Sequence, residues 1–80
     1  MLVKIDRVIN CDGKIFKTGD IIKIDFKRNG ITDTQVGKIT KIYKDDVTFC
    51  IDCSTSFHSS VYDVCIKNVV SMSLYENKDK

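Results

Sequence analysis

Residues 21–31 of this 80-residue chain, which read IIKIDFKRNGI, decide its fold class. Apolar and charged side chains alternate there, with Ile22, Ile24 and Phe26 on one side and Lys23, Asp25 and Lys27 on the other. Successive side chains of a strand point to opposite faces, so the pattern predicts a strand with one buried and one solvated face. The Asn29-Gly30 pair that follows accepts the positive φ of a type I′ turn and predicts a hairpin.

The composition of the whole chain also favours strands. It has no Ala, no Pro, two Leu and one Glu, whereas Ile, Val and Thr supply 25 of the 80 residues. Ala, Leu and Glu are strong helix formers, while β-branched side chains pack well on a pleated surface. We therefore expect an all-β fold, a single small antiparallel barrel of about five or six strands with one strongly bent long strand.

Turn signals divide the remaining sequence into further strands. Residues 31–43 change hydrophobic phase around Gly37, which indicates a bend or bulge in a long strand. The other expected elements are a first strand over residues 2–9, a turn over 11–14, an extended piece over 15–16, a turn over 18–20, an inward set of Val47, Phe49 and Ile51, a strand over 61–66, a corner at Asn68, and a closing strand with Val70, Met72 and Leu74. We expect one domain over residues 1–75 and a disordered tail over residues 76–80.

Charge and hydropathy restrict the possible partners. The net charge is +2, from 13 basic and 11 acidic residues scattered along the chain, which gives no field that would identify a polyanionic partner. No apolar stretch approaches the roughly 18 residues of a membrane span, and residues 1–6 carry charges where a signal peptide has an apolar run. We expect a cytoplasmic protein with no membrane partner.

Four cysteines, Cys11, Cys50, Cys53 and Cys65, suggest either disulfides or a zinc site. A reducing compartment argues against disulfides. Residues an odd number apart in one strand point to opposite faces, so Cys50 and Cys53 cannot hold one metal ion unless the strand ends before Cys53. We expect no metal and no cofactor, with the thiols acting as small apolar side chains. Zinc held by all four cysteines is the alternative.

Two segments resemble the motifs of Sm-like proteins. They are Gly37-x-Ile39-x-x-Ile42 with a turn at Asp45 and Val47-x-Phe49-x-Ile51-Asp52, and then Val64-x-Ile66-x-Asn68-Val69-x-x-Met72. The resemblance covers residues 19–74 and extends to barrels of the Src-homology-3 type and to short uncharacterised barrel proteins from bacterial mobile elements. It implies a small barrel and a bacterial, mobile-element setting.

The same resemblance limits which family functions apply. RNA-binding Sm-like proteins place an asparagine after the acidic turn and a basic residue followed by glycine in the second motif. This chain has Thr48 and the pair Lys67-Asn68 in those places, so the uridine pocket is not carried over. Src-homology-3 domains bind proline-rich peptides in a groove of Tyr, Trp and Pro. The chain has neither Trp nor Pro, which disfavours that activity.

A hydroxyl-rich segment over residues 54–60 contains the only histidine. A nucleophile and base made of His58 with a neighbouring serine or Cys53 would need an orienting group and an oxyanion cradle, and the sequence supplies neither. We therefore expect no enzymatic activity. The expected role of this loop is structural, with hydroxyls bonded to its own backbone and Phe57 plugging the end of the barrel.

Two surfaces are candidate binding sites. A ligand or nucleic-acid surface would combine phosphate contacts with base stacking and consists of Lys14, Lys17, Ser56, Phe57, His58 and Lys67. A protein-docking face of mixed charge consists of Lys23, Asp25, Lys27, Lys38 and Thr40. We predict a non-enzymatic binding or assembly module whose partner is another protein or a second copy of the chain. A weak, sequence-tolerant nucleic-acid binder is the alternative.

Overall fold

A computed structural model describes residues 7–75 of the chain, and this part is all-β, as the composition predicts. A short 3-10 helix, Ile66–Asn68, precedes the last strand. The strands are β1 Val8–Cys11, β2 Lys14–Lys17, β3 Ile21–Arg28, β4 Ile31–Ile42, β5 Thr48–Asp52, β6 Val61–Cys65 and β7 Val69–Leu74. Most of the expected first strand and the expected tail over residues 76–80 lie outside the described residues.

The strands form two antiparallel sheets. β1 and β2 make a hairpin of their own, and the other five strands follow the order β6-β5-β4-β3-β7. Consecutive strands are neighbours from β3 to β6, and β7 returns to pair with β3. The ladders found within residues 7–75 leave β6 and β7 each unpaired on one side, so the antiparallel sheet is established without closure into a barrel.

The Asn29-Gly30 turn has the positive φ values that the sequence predicts. Asn29 and Gly30 have φ values of 53° and 80°, and they join β3 to β4 with Arg28 opposite Ile31. Asp12 and Gly13 have the same pair of values, 53° and 80°. The turn predicted over residues 11–14 is confirmed, because its outer residues, Cys11 and Lys14, pair with each other.

β4 is the long bent strand, but the bend comes later than predicted. The pairing between β4 and β5 slips between Ile39 and Lys41, which leaves Thr40 as the extra residue of a bulge. Gly37 and Ile39 are buried before the slip and Ile42 is buried after it. The hydrophobic phase change in the sequence is therefore caused at Thr40 and not at Gly37.

The core is a single apolar cluster that joins the hairpin to the larger sheet. Ile9, Cys11 and Phe16 contribute from the hairpin, and the remaining buried side chains are Ile22, Ile24, Phe26, Ile39, Ile42, Phe49, Ile51, Val64 and Met72. The rings of Phe26 and Tyr62 meet edge to face at 5.6 Å between centroids. This contact brings the end of β3 against β6, so the sheet is strongly curled.

One residue expected to face inward, Val47, is exposed, and so are Val70 and Leu74 of the closing strand. Val47 lies in the β4–β5 turn and not in β5, because Oδ1 of Asp45 accepts the backbone N–H groups of both Val47 and Thr48, at 2.9 and 2.8 Å. Met72 is the only buried residue of β7. Val70 lies at a slip in the β3–β7 register and Leu74 ends the strand, which leaves them 53% and 59% exposed.

Gly37 has a steric role that the sequence alone does not reveal. A Cβ at this position would lie 2.6 Å from Sγ of Cys53 and 2.8 Å from the carbonyl oxygen of Asp52. Sγ of Cys53 is a side-chain atom that a rotamer change can move, whereas the oxygen of Asp52 belongs to the backbone of a paired strand. The close approach of β5 to β4 therefore requires glycine here.

Gly37→Ala is expected to lower the free energy of unfolding by about 1–3 kcal/mol, because overpacking at this contact forces the backbone of β5 to shift. Urea unfolding followed by circular dichroism measures the change. The same substitution made in a Cys53→Ala background should cost less, since one of the two clashes is then absent. A loss smaller than about 0.5 kcal/mol in the wild-type background would contradict the steric role.

Candidate functional site

The loop between β5 and β6 is closed by backbone hydrogen bonds. At its base the N–H of Cys53 donates to the carbonyl of Ser60 at 2.7 Å. Nearer the tip the N–H of Thr55 donates to the carbonyl of His58 at 2.8 Å. These two bonds hold the segment as a loop of defined shape, with residues 56 and 57 at its tip.

Side chains of the loop brace the same conformation. The N–H groups of Phe57 and His58 donate to Oγ1 of Thr55 at 3.2 and 3.1 Å, and the N–H of Ser60 donates to Oγ of Ser54 at 3.0 Å. The prediction that hydroxyls of this loop bond its own backbone is confirmed. This internal bonding orders the loop without any contact from Phe57.

The expected role of Phe57 as a plug for the end of the barrel is wrong. Its side chain is 95% exposed. The turn from Thr55 to His58 turns the tip of the loop away from the core, so the ring of Phe57 faces solvent. Ser56 and His58, the other loop residues of the predicted ligand surface, are also exposed beside it.

The lysines predicted to flank the loop lie on other elements. Lys67 is in the 3-10 helix after β6, whereas the loop ends where β6 begins, so the five residues of the strand, about 17 Å long, separate the two. Lys17 ends β2 and forms an ion pair with Asp20 at 3.6 Å. Lys14 begins β2 next to the Asp12-Gly13 turn. The structure therefore keeps Ser56, Phe57 and His58 together and separates Lys67 from them.

Asp25 is the centre of the predicted protein-docking face. Its Oδ1 accepts a hydrogen bond from Oγ1 of Thr34 on β4 at 2.6 Å, and its Oδ2 accepts one from Oγ of Ser71 on β7 at 2.8 Å. Thr34, then Ser71, and the positive charge of Lys23 lower the pKa of Asp25. The carboxylate thus ties three neighbouring strands together on the outer face of the sheet.

The other residues of this face are exposed and their charges are balanced locally. Lys23 and Lys27 flank Asp25 along β3. Lys38 lies between Ile21 on β3 and Asp52 on β5, where its charge adds to the hydrogen bonding from Ser54 that lowers the pKa of Asp52. Thr40 donates to the carbonyl of Cys50 at 3.4 Å. The hydrogen bonds of Asp25 and Thr40 connect strands of the sheet to one another. They fit a solvated surface that stabilises the sheet better than a surface that presents a single sign of charge to a partner.

The surroundings of Cys53 disfavour the hypothesis that this residue acts as a nucleophile with His58. Burial, followed by the nearby charge of Asp52, raises the pKa of the Cys53 thiol, which disfavours the thiolate that a nucleophile needs. Cys50 lies between the buried Phe49 and Ile51 and so points to the outer face, whereas Cys53 packs against the core. Within residues 7–75, no three His, Cys, Asp or Glu side chains are grouped closely enough to hold a metal ion.

Comparison with known proteins gives no match: no family model fits the sequence, and no curated protein and no solved structure is significantly similar to it. The described part of the chain has no helix with the length and apolar character needed to cross a membrane.

One feature that sequence analysis missed is the outer edge of the five-stranded sheet. β7 reads VVSMSL and carries no charge, although natural proteins commonly protect an edge strand with lysine, proline or another device. The uncharged stretch is visible in the sequence. Its significance depends on knowing that β7 is an edge strand, which the order of pairing alone reveals.

We expect the pKa of the Asp25 carboxyl, followed by NMR during an acid titration, to lie below that of an ordinary aspartate and to rise in Thr34→Val and in Ser71→Ala. Because folding lowers this pKa, the carboxylate stabilises the folded state above a pH of about 4, and that stabilisation is lost as the pH falls through the folded-state pKa. Ser73→Ala is the matched control on the same face of β7. Equal pKa values in all four proteins would contradict the three-strand tie.

Proposed function

We propose that this protein is a non-enzymatic protein-binding module that inserts Phe57 into an apolar pocket of its partner. The observation that carries the proposal is a phenyl ring 95% exposed at the tip of a loop whose conformation is fixed by its own hydrogen bonds. Exposed apolar side chains are common singly, but a large aromatic ring presented on a braced loop has the features of an anchor at a protein interface.

The bracing of the loop supports this function energetically. Ordering a flexible loop on binding costs free energy, and a loop that is already held in shape avoids most of that cost. Thr55 contributes two of the bonds that hold the tip, through Oγ1 to the N–H groups of Phe57 and His58. The backbone that carries the ring is thus already ordered before binding, and the ring itself is exposed to solvent.

The remaining features of the proposal concern architecture and setting. We propose that the curled sheet forms a small barrel, supported by the Phe26–Tyr62 contact and by the guanidinium of Arg28, which lies 5.0 Å from the centre of the Tyr62 ring and adds a second link between β3 and β6. The four free thiols support a reducing, cytoplasmic setting. The relationship to Sm-like or Src-homology-3-type barrels and the bacterial mobile-element setting stay predictions from the sequence motifs.

Peptides selected from a displayed random library on the immobilised wild-type protein are expected to bind Phe57→Ser at least tenfold more weakly. Burying a phenyl ring contributes about 1.5–3 kcal/mol, and each 1.4 kcal/mol corresponds to about a factor of ten in affinity. Ile15→Ser is the matched control, because Ile15 is an apolar side chain, 62% exposed, on the separate β1–β2 hairpin. Binders that lose affinity equally in both variants, or in neither, would contradict the proposal.

The alternative function, nucleic-acid binding, has less support from the geometry. Lys67 is separated from the loop, Lys17 is paired with Asp20, and Asp52, whose lowered pKa keeps it ionised, lies at the base of the loop and repels phosphate. A ring able to stack on a base is present, but a converging set of cations is not evident among the predicted contact residues.

Titration of labelled single-stranded RNA and DNA at two salt concentrations distinguishes the two functions. We expect no binding that depends on salt, because phosphate contacts are what make affinity fall steeply as salt increases. Fluorescence anisotropy is a suitable measurement. Binding that weakens steeply with salt and is lost in Phe57→Ser would favour the nucleic-acid function instead.

A further inference from the structure

Within residues 7–75, β7 is an edge strand of the five-stranded sheet and pairs with β3 alone. The N–H of Tyr75 donates to the carbonyl of Ile21 at 2.9 Å, in the same register that places Leu74 opposite Ile22. Bonded and non-bonded pairs alternate along an antiparallel ladder, so the N–H and C=O groups of Met72 and Leu74 point away from β3. Within residues 7–75 no other strand pairs with that side of β7.

The side chains of β7 are self-complementary. If two copies of β7 pair antiparallel about a two-fold axis at Met72, residue 70 of each copy faces residue 74 of the other. The exposed Val70 and Leu74 then meet each other, and Ser71 faces Ser73 on the outer side. Apolar side chains lie opposite apolar ones and hydroxyls opposite hydroxyls, which are favourable cross-strand pairs. No charge is placed opposite a like charge.

The other free edge of the sheet lacks this property. The N–H of Ile66 donates to Val47 and that of Cys53 to Ser60, so by the same alternation Val61, Asp63 and Cys65 direct their backbone groups to the free side of β6. A two-fold pairing centred on β6 would place Asp63 opposite its own copy. Like charges directly opposite each other destabilise a pair of strands. In the centred register the two edges therefore differ, because the β7 pairing opposes no like charges whereas the β6 pairing does.

We propose that β7 binds β7 of a second copy of this chain, joining two sheets into one continuous antiparallel sheet with Met72 at the two-fold axis. The pairing supplies hydrogen bonds to the free groups of Met72, brings Leu74 against Val70 of the other copy at the register slip, and covers the apolar side chains of both residues. It uses a surface other than Phe57 and does not depend on the proposed function. Since one strand pair is a small interface, the association is weak and concentration-dependent.

Two charge variants test the register. Val70→Lys/Leu74→Lys places lysine opposite lysine twice, whereas Val70→Glu/Leu74→Lys places glutamate opposite lysine twice at the same exposed positions. Sedimentation equilibrium over a concentration series measures the average mass. The wild-type mass is expected to rise from the 9.1 kDa of one chain towards twice that value. The Lys/Lys variant should remain at the mass of one chain, and the Glu/Lys variant should dimerise in low salt and dissociate in high salt.

Hydrogen exchange on the wild-type protein tests the same pairing without any substitution. The amides of Met72 and Leu74 should become more protected as concentration rises, while those of Asp63 and Cys65 on the β6 edge should not change. This measurement decides the matter if either charge variant fails to fold.

Four results would overturn the proposal. In sedimentation, these are a wild-type mass that stays at one chain at every concentration and equal association of the two charge variants. In hydrogen exchange, concentration-dependent protection on both edges would indicate head-to-tail pairing of β6 with β7. Protection of Met72 and Leu74 that is already complete in the monomer would indicate that the chain covers its own edge.

Discussion

The register slip at Thr40 is the constraint on which the rest of the sheet depends. β4 joins the two halves of the sheet, because it pairs with β3 along residues 31–38 and with β5 along residues 38–42. A shift of one residue transfers side chains to the opposite face of a sheet, so without the slip Ile39 and Ile42, which are an odd number of residues apart, would face opposite sides. The bulge lets both enter the core and increases the local twist. The curl that brings Tyr62 to Phe26 follows from that twist.

The position of the candidate binding loop follows from the same strand. Gly37 is buried on the core side just before the slip, and the absence of a Cβ lets the carbonyl of Asp52 and the thiol of Cys53 approach β4 closely. β5 ends at Asp52, and the loop begins with Cys53 held against the core by packing and by its bond to Ser60. The anchored base is what allows the tip to stand free of the core with Phe57 exposed.

Local signals in the sequence predicted much of the fold. The alternation over residues 22–27, the two positive-φ turns and the all-β composition each depend on neighbouring residues, and each is found in the structure. What the sequence did not predict has two causes. A carboxylate two residues away, that of Asp45, accepts the amide N–H of Val47 and keeps Val47 out of β5, and the distant pairing of β7 with β3 places Val70 and Leu74 at an edge. The loop hydroxyls were predictable from local chemistry, whereas the exposure of Phe57 was not, because the apolar character of a side chain does not specify which surface it will cover.

The polar and charged side chains within residues 7–75 lie outside the buried core. Every buried side chain within residues 7–75 is apolar, and no charged or polar one is enclosed with it. Burial, a nearby charge and hydrogen bonding can each perturb an acid or a base, and the carboxylates with lowered pKa here, such as Asp25 and Asp45, owe the shift mainly to hydrogen bonds at the surface. Those bonds favour the ionised form and hold strands and turns in place. The two proposed recognition surfaces are groups that the sheet leaves uncovered within residues 7–75, namely an aromatic ring on a braced loop and the backbone groups of one uncharged edge.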